Sequence, residues 1–337
     1  MFESIAPLWL WAVFVAIVIA ALVIDFVVLN KQGSHEVGVK EAINWSIVWV
    51  ALSLMFNGLF WWAVKDTSGD TALANTKALE FLTGYLIEKS LAVDNIFVFL
   101  MLFTYFAVPP ELQKRVLILG VLGALVLRAV MILIGAWLIA QFHWILYVFG
   151  AFLVFTGIKM WWAAGKEPDL DANPAMKWLR SKVRIAPNYD GEKFFTMVSG
   201  VRVATPLLIV ILLIGIVDLV FAVDSIPAIF AITTDPFIVL TSNVFAILGL
   251  RAMYFLLAGV HERFHLLSYG LALVLTFIGI KMLIIDLYKI PVLWSLSVSA
   301  TILAVTMLLS LYIPPRGTGG SAYPFPPKKT ATQESEP

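Results

Sequence analysis

The sequence contains no cysteine. That removes disulfides, zinc–thiolate sites, iron–sulfur clusters and soft-metal thiolate chemistry together. Charge is scarce as well: Asp, Glu, Lys and Arg make up 13% of the 337 residues, against about 25% in an average soluble domain. Histidine occurs only four times, and no Ser/His nucleophile arrangement is present, so the reading is not an enzyme. What fills the chain instead is apolar. Hydrophobic residues reach 61%, more than a water-soluble fold could keep from solvent. The sequence describes an all-α polytopic protein whose partner is the lipid bilayer, with no nucleic-acid signature and no organic cofactor.

A helix needs about 20 apolar residues to cross the hydrocarbon core. Runs of that kind predict nine spans, near 7–29, 43–64, 79–107, 114–140, 143–164, 204–233, 236–259, 265–287 and 291–313. The first lacks a basic leader and a small-residue cleavage site, so it reads as a retained helix. Residues 1–313 therefore form one transmembrane domain. Lys and Arg set its orientation. With the N-terminus outside, fifteen loop Lys and Arg lie inside and three (Lys65, Lys77 and Lys289) outside. The prediction is N-out, C-in. The cytoplasmic loop 165–203 contains PAMKWLRSKVRI, which reads either as an amphipathic helix on the inner leaflet or as a basic topology signal. The tail 314–337, rich in Pro, Gly, Ser and Thr, predicts a disordered cytoplasmic segment.

Two stretches of the chain resemble each other. IEKSLAVDNIF (87–97) matches VDLVFAVDSIP (217–227), which pairs Glu88 with Asp218 and Asp94 with Asp224. LGALVLRAVMILIGA (122–136) matches FAILGLRAMYFLLAG (245–259), which pairs Arg128 with Arg251. Residues 141–160 match 263–282 with nine of 20 positions identical. The copies, about 79–164 and 204–287, each hold three spans. Three is odd, so the second copy starts from the opposite side of the membrane. This is the 3+3 inverted-topology repeat of many transporters, whose substrate site lies at the repeat interface near the midplane.

The matched acids are the centre of the functional reading. An ionised Asp at a helix centre costs about 2.5–3.5 kcal/mol on insertion scales, so four such groups cost on the order of 10–14 kcal/mol if additive. Cations, protons, water or basic partners must compensate. Glu88, Asp94, Asp218 and Asp224 are the candidate metal ligands. Asp25, Asn57, Asn95, Ser225 and Asn243 are candidate additional ligands or path residues, and Lys89, Arg128 and Arg251 balance charge. Residues six apart on a straight helix lie about 120° off one another, so convergence of all four acids requires bent helices or a wide site. Pro227 predicts a kink that frees the Val223 carbonyl beside Asp224. Carboxylate, amide, hydroxyl and carbonyl oxygens suit hard divalent ions. His143 and His265 fall at span ends and read as interfacial. A structural ion-pair network with the arginines is the competing reading.

The strings FLTGYLIEKSLAVDN, FAVDSIPAIFAITTDPFIVLTSN, FAILGLRAMYFLLAGV and FIGIKMLI closely resemble the TerC family, and within it the Alx branch. The resemblance runs from about residue 8 to 290 and is weakest in the 165–203 loop. It implies a bacterial inner-membrane exporter of Mn²⁺, with Mn²⁺ as transported substrate and Glu88, Asp94, Asp218 and Asp224 needed for export. Protons are the expected counter-ion. The alternatives are a membrane scaffold that delivers metal without moving it, and an exporter of another cation such as Ca²⁺.

Overall fold

The computed structural model describes residues 4–32, 39–142, 144–163, 185–198, 200–258, 266–288 and 290–313. In chain order the elements are α1 (Leu8–Gln32), α2 (Val39–Ser68), α3 (Thr71–Tyr105), α4 (Pro110–Gln141) and α5 (Ile145–Ala163). A hairpin of β1 (Phe195–Val198) and β2 (Val201–Ala204) follows. Then come α6 (Pro206–Phe230), α7 (Pro236–Leu248), α8 (Leu250–Leu257), α9 (Leu267–Leu283) and α10 (Val292–Tyr312). His143, His265, most of PAMKWLRSKVRI and the 314–337 tail lie outside the described residues.

Local chemistry explains where the helices begin. Pro110, Pro206 and Pro236 open α4, α6 and α7, where a missing N–H costs nothing. Asp70 caps α3 by accepting from Ala72 N at 2.7 Å and Leu73 N at 3.2 Å. Gly69, at φ 69°, turns the chain between α2 and α3 in the left-handed region. Asp235 caps α7 through Phe237 N at 2.9 Å. The same carboxylate accepts from Ile5 N at 2.9 Å and Ser4 Oγ at 3.1 Å, which ties the N-terminal segment to α7.

Among the described residues, α2, α4, α5, α6 and α10 are long and apolar enough to cross a membrane. The pair α7–α8, bent by 41° at Gly249, makes a sixth if taken as one span. The nine spans counted along the sequence also include α1, α3 and α9. The apolar part of α1, Leu8–Ile24, and α9 are shorter. α3 has 35 residues but carries Lys77, Glu80, Glu88, Lys89 and Asp94. Large apolar side chains such as Met55, Phe155 and Leu308 lie on the outside of the bundle, as a lipid-facing surface requires.

The helices interlock rather than pack in sequence order. α3 packs on α7 while α4 packs on α6, and α5 packs on α9. Glycines permit the last contact. A Cβ on Gly157 would lie 2.8 Å from the Ala272 carbonyl, and one on Gly279 would lie 2.7 Å from the Gly150 carbonyl. Small residues at such crossings let backbones approach closely. A cluster of Phe14, Phe56, Phe60, Phe81, Phe237 and Phe245 joins α1, α2, α3 and α7, with centroids as close as 4.7 Å.

Two features differ from the sequence expectation. α6 runs through Pro227 and ends at Phe230, so the proline falls in its last turn and the pronounced bend lies instead at Gly249. The 165–203 loop also contains the β1–β2 hairpin, paired in register Phe195↔Ala204 to Val198↔Val201. This hairpin region docks on the end of α3, where Tyr189 donates to the Phe106 carbonyl at 2.9 Å. Burial pushes the Tyr189 hydroxyl up to about 12.

Candidate functional site

Four helices bring their polar side chains to one point. Glu88 and Asn95 come from α3, seven residues apart and therefore nearly aligned on one face. Asp218 and Ser225 come from α6 with the same spacing. Arg128 enters from α4 and Asn243 from α7. All six are buried, none more than 2% exposed.

Arg128 lies at the centre. Its Nε and Nη2 donate to Asp218 Oδ2 and Oδ1 at 3.0 and 2.8 Å, a two-point fork. Its Nη1 donates to Glu88 Oε1, and to Ser225 Oγ and Asn243 Oδ1 at 3.3 Å each. The Asn243 amide in turn donates to Glu88 Oε2 at 3.3 Å. Asn95 faces the guanidinium with its oxygen, accepting from Nη2 at 3.2 Å while its amide donates to the Leu91 carbonyl. The opposite orientation, with Asn95 Nδ2 3.4 Å from Asp218 Oδ1, would leave its oxygen facing only acceptors. One cation is thus surrounded by carboxylate, amide and hydroxyl oxygens. Two carboxylates against one guanidinium leave a formal charge of −1 within the six.

The other sequence candidates take separate places. Asp224 is half-buried on α6 and turns to α5, where it accepts from Thr156 Oγ1 at 3.2 Å with Lys159 in electrostatic reach. The helical angle between positions six apart accounts for that separation from Asp218. Asp25 and Asp94 lie on α1 and α3, but their side chains lie outside the described residues. Lys89 donates to the Ala246 carbonyl at 3.2 Å and so satisfies the end of α7 where the bend begins. Arg251, just past the bend, is buried with its guanidinium 5.9 Å from the Trp45 ring. It lines a cleft with Glu41, Trp45 and Lys114. Asn57 is on α2, and its buried Oδ1 has no hydrogen-bond partner among the described residues. Among the described residues no three of His, Asp and Glu gather as a ready metal centre.

Sequence similarity places this geometry among known proteins. Proteins of Salmonella typhi and Escherichia coli (strain K12), each provisionally named as a membrane-bound redox modulator, Alx, are 57% identical over 304 residues. Those alignments cover 90% of this chain and 94% of each relative. An uncharacterized membrane protein of Myxococcus xanthus is 49% identical, covering 92% of this chain and 94% of its own. No solved structure matches. Residues 73–318, which hold every residue of the buried cluster, match the family described as integral membrane protein TerC. The chain belongs to the TerC family of integral membrane proteins.

Proposed function

We propose that this protein exports Mn²⁺ across the bacterial inner membrane, through nine spans with the N-terminus outside and the C-terminus in the cytoplasm. The observation that carries the reading is the meeting of Glu88 and Asp218 on one buried cation. These are matched positions in the two halves of the sequence, so the site sits where an inverted repeat would place it. The exchange of partners between α3–α7 and α4–α6, and the reciprocal glycine contacts of α5 and α9, support the same symmetry. The donors around Arg128 are hard oxygens, the set that suits Mn²⁺, Mg²⁺ and Ca²⁺.

Charge arithmetic gives Arg128 a role. Two carboxylates match one divalent cation, whereas with the guanidinium alone they remain one charge short of neutral. Arg128 holds the acid pair when no metal is bound, and the metal displaces it. Asp94 and Asp224 serve as further stations on the way, and protons are the counter-transported ion. The relatives' redox description finds no thiol in this cysteine-free chain; a redox role would run through the transported metal.

Completeness of hydrogen bonding around Arg128 favours a second reading, a structural ion pair in a scaffold that moves nothing. Purified protein in vesicles separates the two: Mn²⁺ efflux above empty vesicles is expected, and zero flux would remove the transport reading. A panel with Ca²⁺ and Mg²⁺ reads selectivity. Arg128→Gln is expected to bind Mn²⁺ about tenfold or more tightly, because its competitor for the carboxylates is gone. Its thermal stability should be low without metal and recover with Mn²⁺. Weakened Mn²⁺ binding by folded Arg128→Gln would contradict the displacement step.

A further inference from the structure

One face of α2 carries buried polar atoms that the fold leaves without partners. Ser46 Oγ, Trp49 Nε1, Ser53 Oγ and Asn57 Oδ1 are each buried with no hydrogen bond among the described residues, and the Tyr85 hydroxyl on α3 shares that condition. Ser53, Trp49 and Tyr85 are 0%, 3% and 3% exposed. The spacing of three, four and four residues puts the α2 groups in one stripe. It extends about 16 Å along the helix at 1.5 Å per residue, roughly half of a bilayer core.

Several other buried or half-buried hydroxyls close back on their own backbone, although Ser295 and Ser299 on α10 also lack a partner among the described residues. Thr83 donates to the Leu79 carbonyl at 2.6 Å, Ser90 to Leu86 at 2.7 Å and Thr241 to Phe237 at 2.7 Å. Ser46 and Ser53 do not. Close helix packing would explain small residues, but Trp49, Asn57 and Tyr85 are not small. Each unpartnered buried group costs about 1–3 kcal/mol, and lipid supplies no partner. Water in a polar, sufficiently open space does.

The stripe also has two ends. At the start of α2 it meets the cleft lined by Glu41, Trp45, Lys114 and Arg251. From there it passes the level of the acid pair, beside Trp49, and runs on to Asn57. The hydrogen bond from Trp61 Nε1 to Asn75 Oδ1 fixes the antiparallel register of α2 and α3, which sets Ser53 near Tyr85 and Trp49 near Lys89. The packing on Gly249 agrees with this register, since a Cβ there would meet both Lys89 Nζ and Trp49. Glu88 is the next residue.

We infer that this face of α2 lines a hydrated track by which a small hydrophilic cation passes from the Glu41–Arg251 cleft, past the level of Glu88, to Asn57. The identity of that cation as Mn²⁺ rests on the proposed function; the track itself does not. The absence of native cysteine makes the test direct. Single variants Ser46→Cys, Ser53→Cys and Asn57→Cys are treated with a charged, membrane-impermeant thiol reagent in the intact full-length protein. Met55→Cys, on the lipid side, and Ser68→Cys, on the exposed turn, serve as references. Thiolate chemistry needs water, so the track positions are expected to react at least about tenfold faster than Met55→Cys, and Mn²⁺ is expected to slow them. Labelling that ignores Mn²⁺, in protein that moves no Mn²⁺, upholds the track and removes the metal assignment. Labelling of all three at the Met55→Cys rate, while Ser68→Cys reacts, overturns the track whatever the flux.

Discussion

Glu88→Gln and Asp218→Asn are each expected to lower Mn²⁺ efflux from reconstituted vesicles by about 100-fold or more, the equivalent of roughly 3 kcal/mol at one site. Each removes one of the two charges that match a divalent ion, while the remaining carboxylate keeps Arg128 as its partner. Stability separates this from a structural role. In Glu88→Gln the fork between Arg128 and Asp218 persists, and the cluster moves from a formal −1 to neutral. No buried charge is left alone, so the thermal midpoint should hold or rise. An ion pair that is purely structural in a transporting protein predicts unchanged flux. Asp224→Asn, which touches Thr156 instead of the cluster, should have the smaller effect on flux. Flux at the wild-type level in both Glu88→Gln and Asp218→Asn would end the site assignment.

Gly157→Ala and Gly279→Ala should each destabilise the folded protein by about 1–3 kcal/mol, with larger side chains worse. The reason is the kind of atom each new methyl would meet. At Gly157 it lies 2.8 Å from the Ala272 carbonyl and 2.9 Å from Thr276 N; at Gly279 it lies 2.7 Å from the Gly150 carbonyl and 2.8 Å from Val154 N. These are backbone atoms, which cannot rotate aside, so α5 and α9 must part. Gly123 and Gly215 are the internal comparison. Both are helical with nothing within 4 Å of a new Cβ, so alanine there should be neutral or stabilising by up to about 1 kcal/mol. Thermal unfolding in detergent measures all four. Equal midpoints across the set would show that the α5–α9 contact is loose.

The membrane class and the central acids were legible in the sequence because isolated charges in apolar runs are expensive and therefore conspicuous. Arg128 was also visible as a charge balancer. Its bridging of Glu88 and Asp218 was not, since those bonds span 40 and 90 residues and no local pattern encodes them. Helical angle made a bent helix or a wide site the condition for Asp218 and Asp224 to converge; α6 runs unbroken between them, and Asp224 turns to Thr156 instead. The bend was expected at Pro227 because proline breaks helices, yet Pro227 sits three residues from the end of α6. Gly249 gave a weaker signal, and a side chain there would meet Lys89 and Trp49. The hairpin at 195–204 hid inside a loop, though a short alternating stretch around Gly200, at φ 78°, is a turn signal. The polar face of α2 was masked by its own composition, because two serines and a tryptophan do not interrupt an apolar run.

The clasp on Asp235 has a consequence for how the protein is made. Ser4 and Ile5 are held by a carboxylate 231 and 230 residues later, and Trp11 rests on Phe237 with centroids 4.8 Å apart. At 5–20 residues per second, the ribosome needs about 10–50 s to produce those partners. α1 therefore waits for α7 before its contacts are complete, and until then the face that will meet Asp235 and Phe237 is sheltered by lipid or by the insertion machinery.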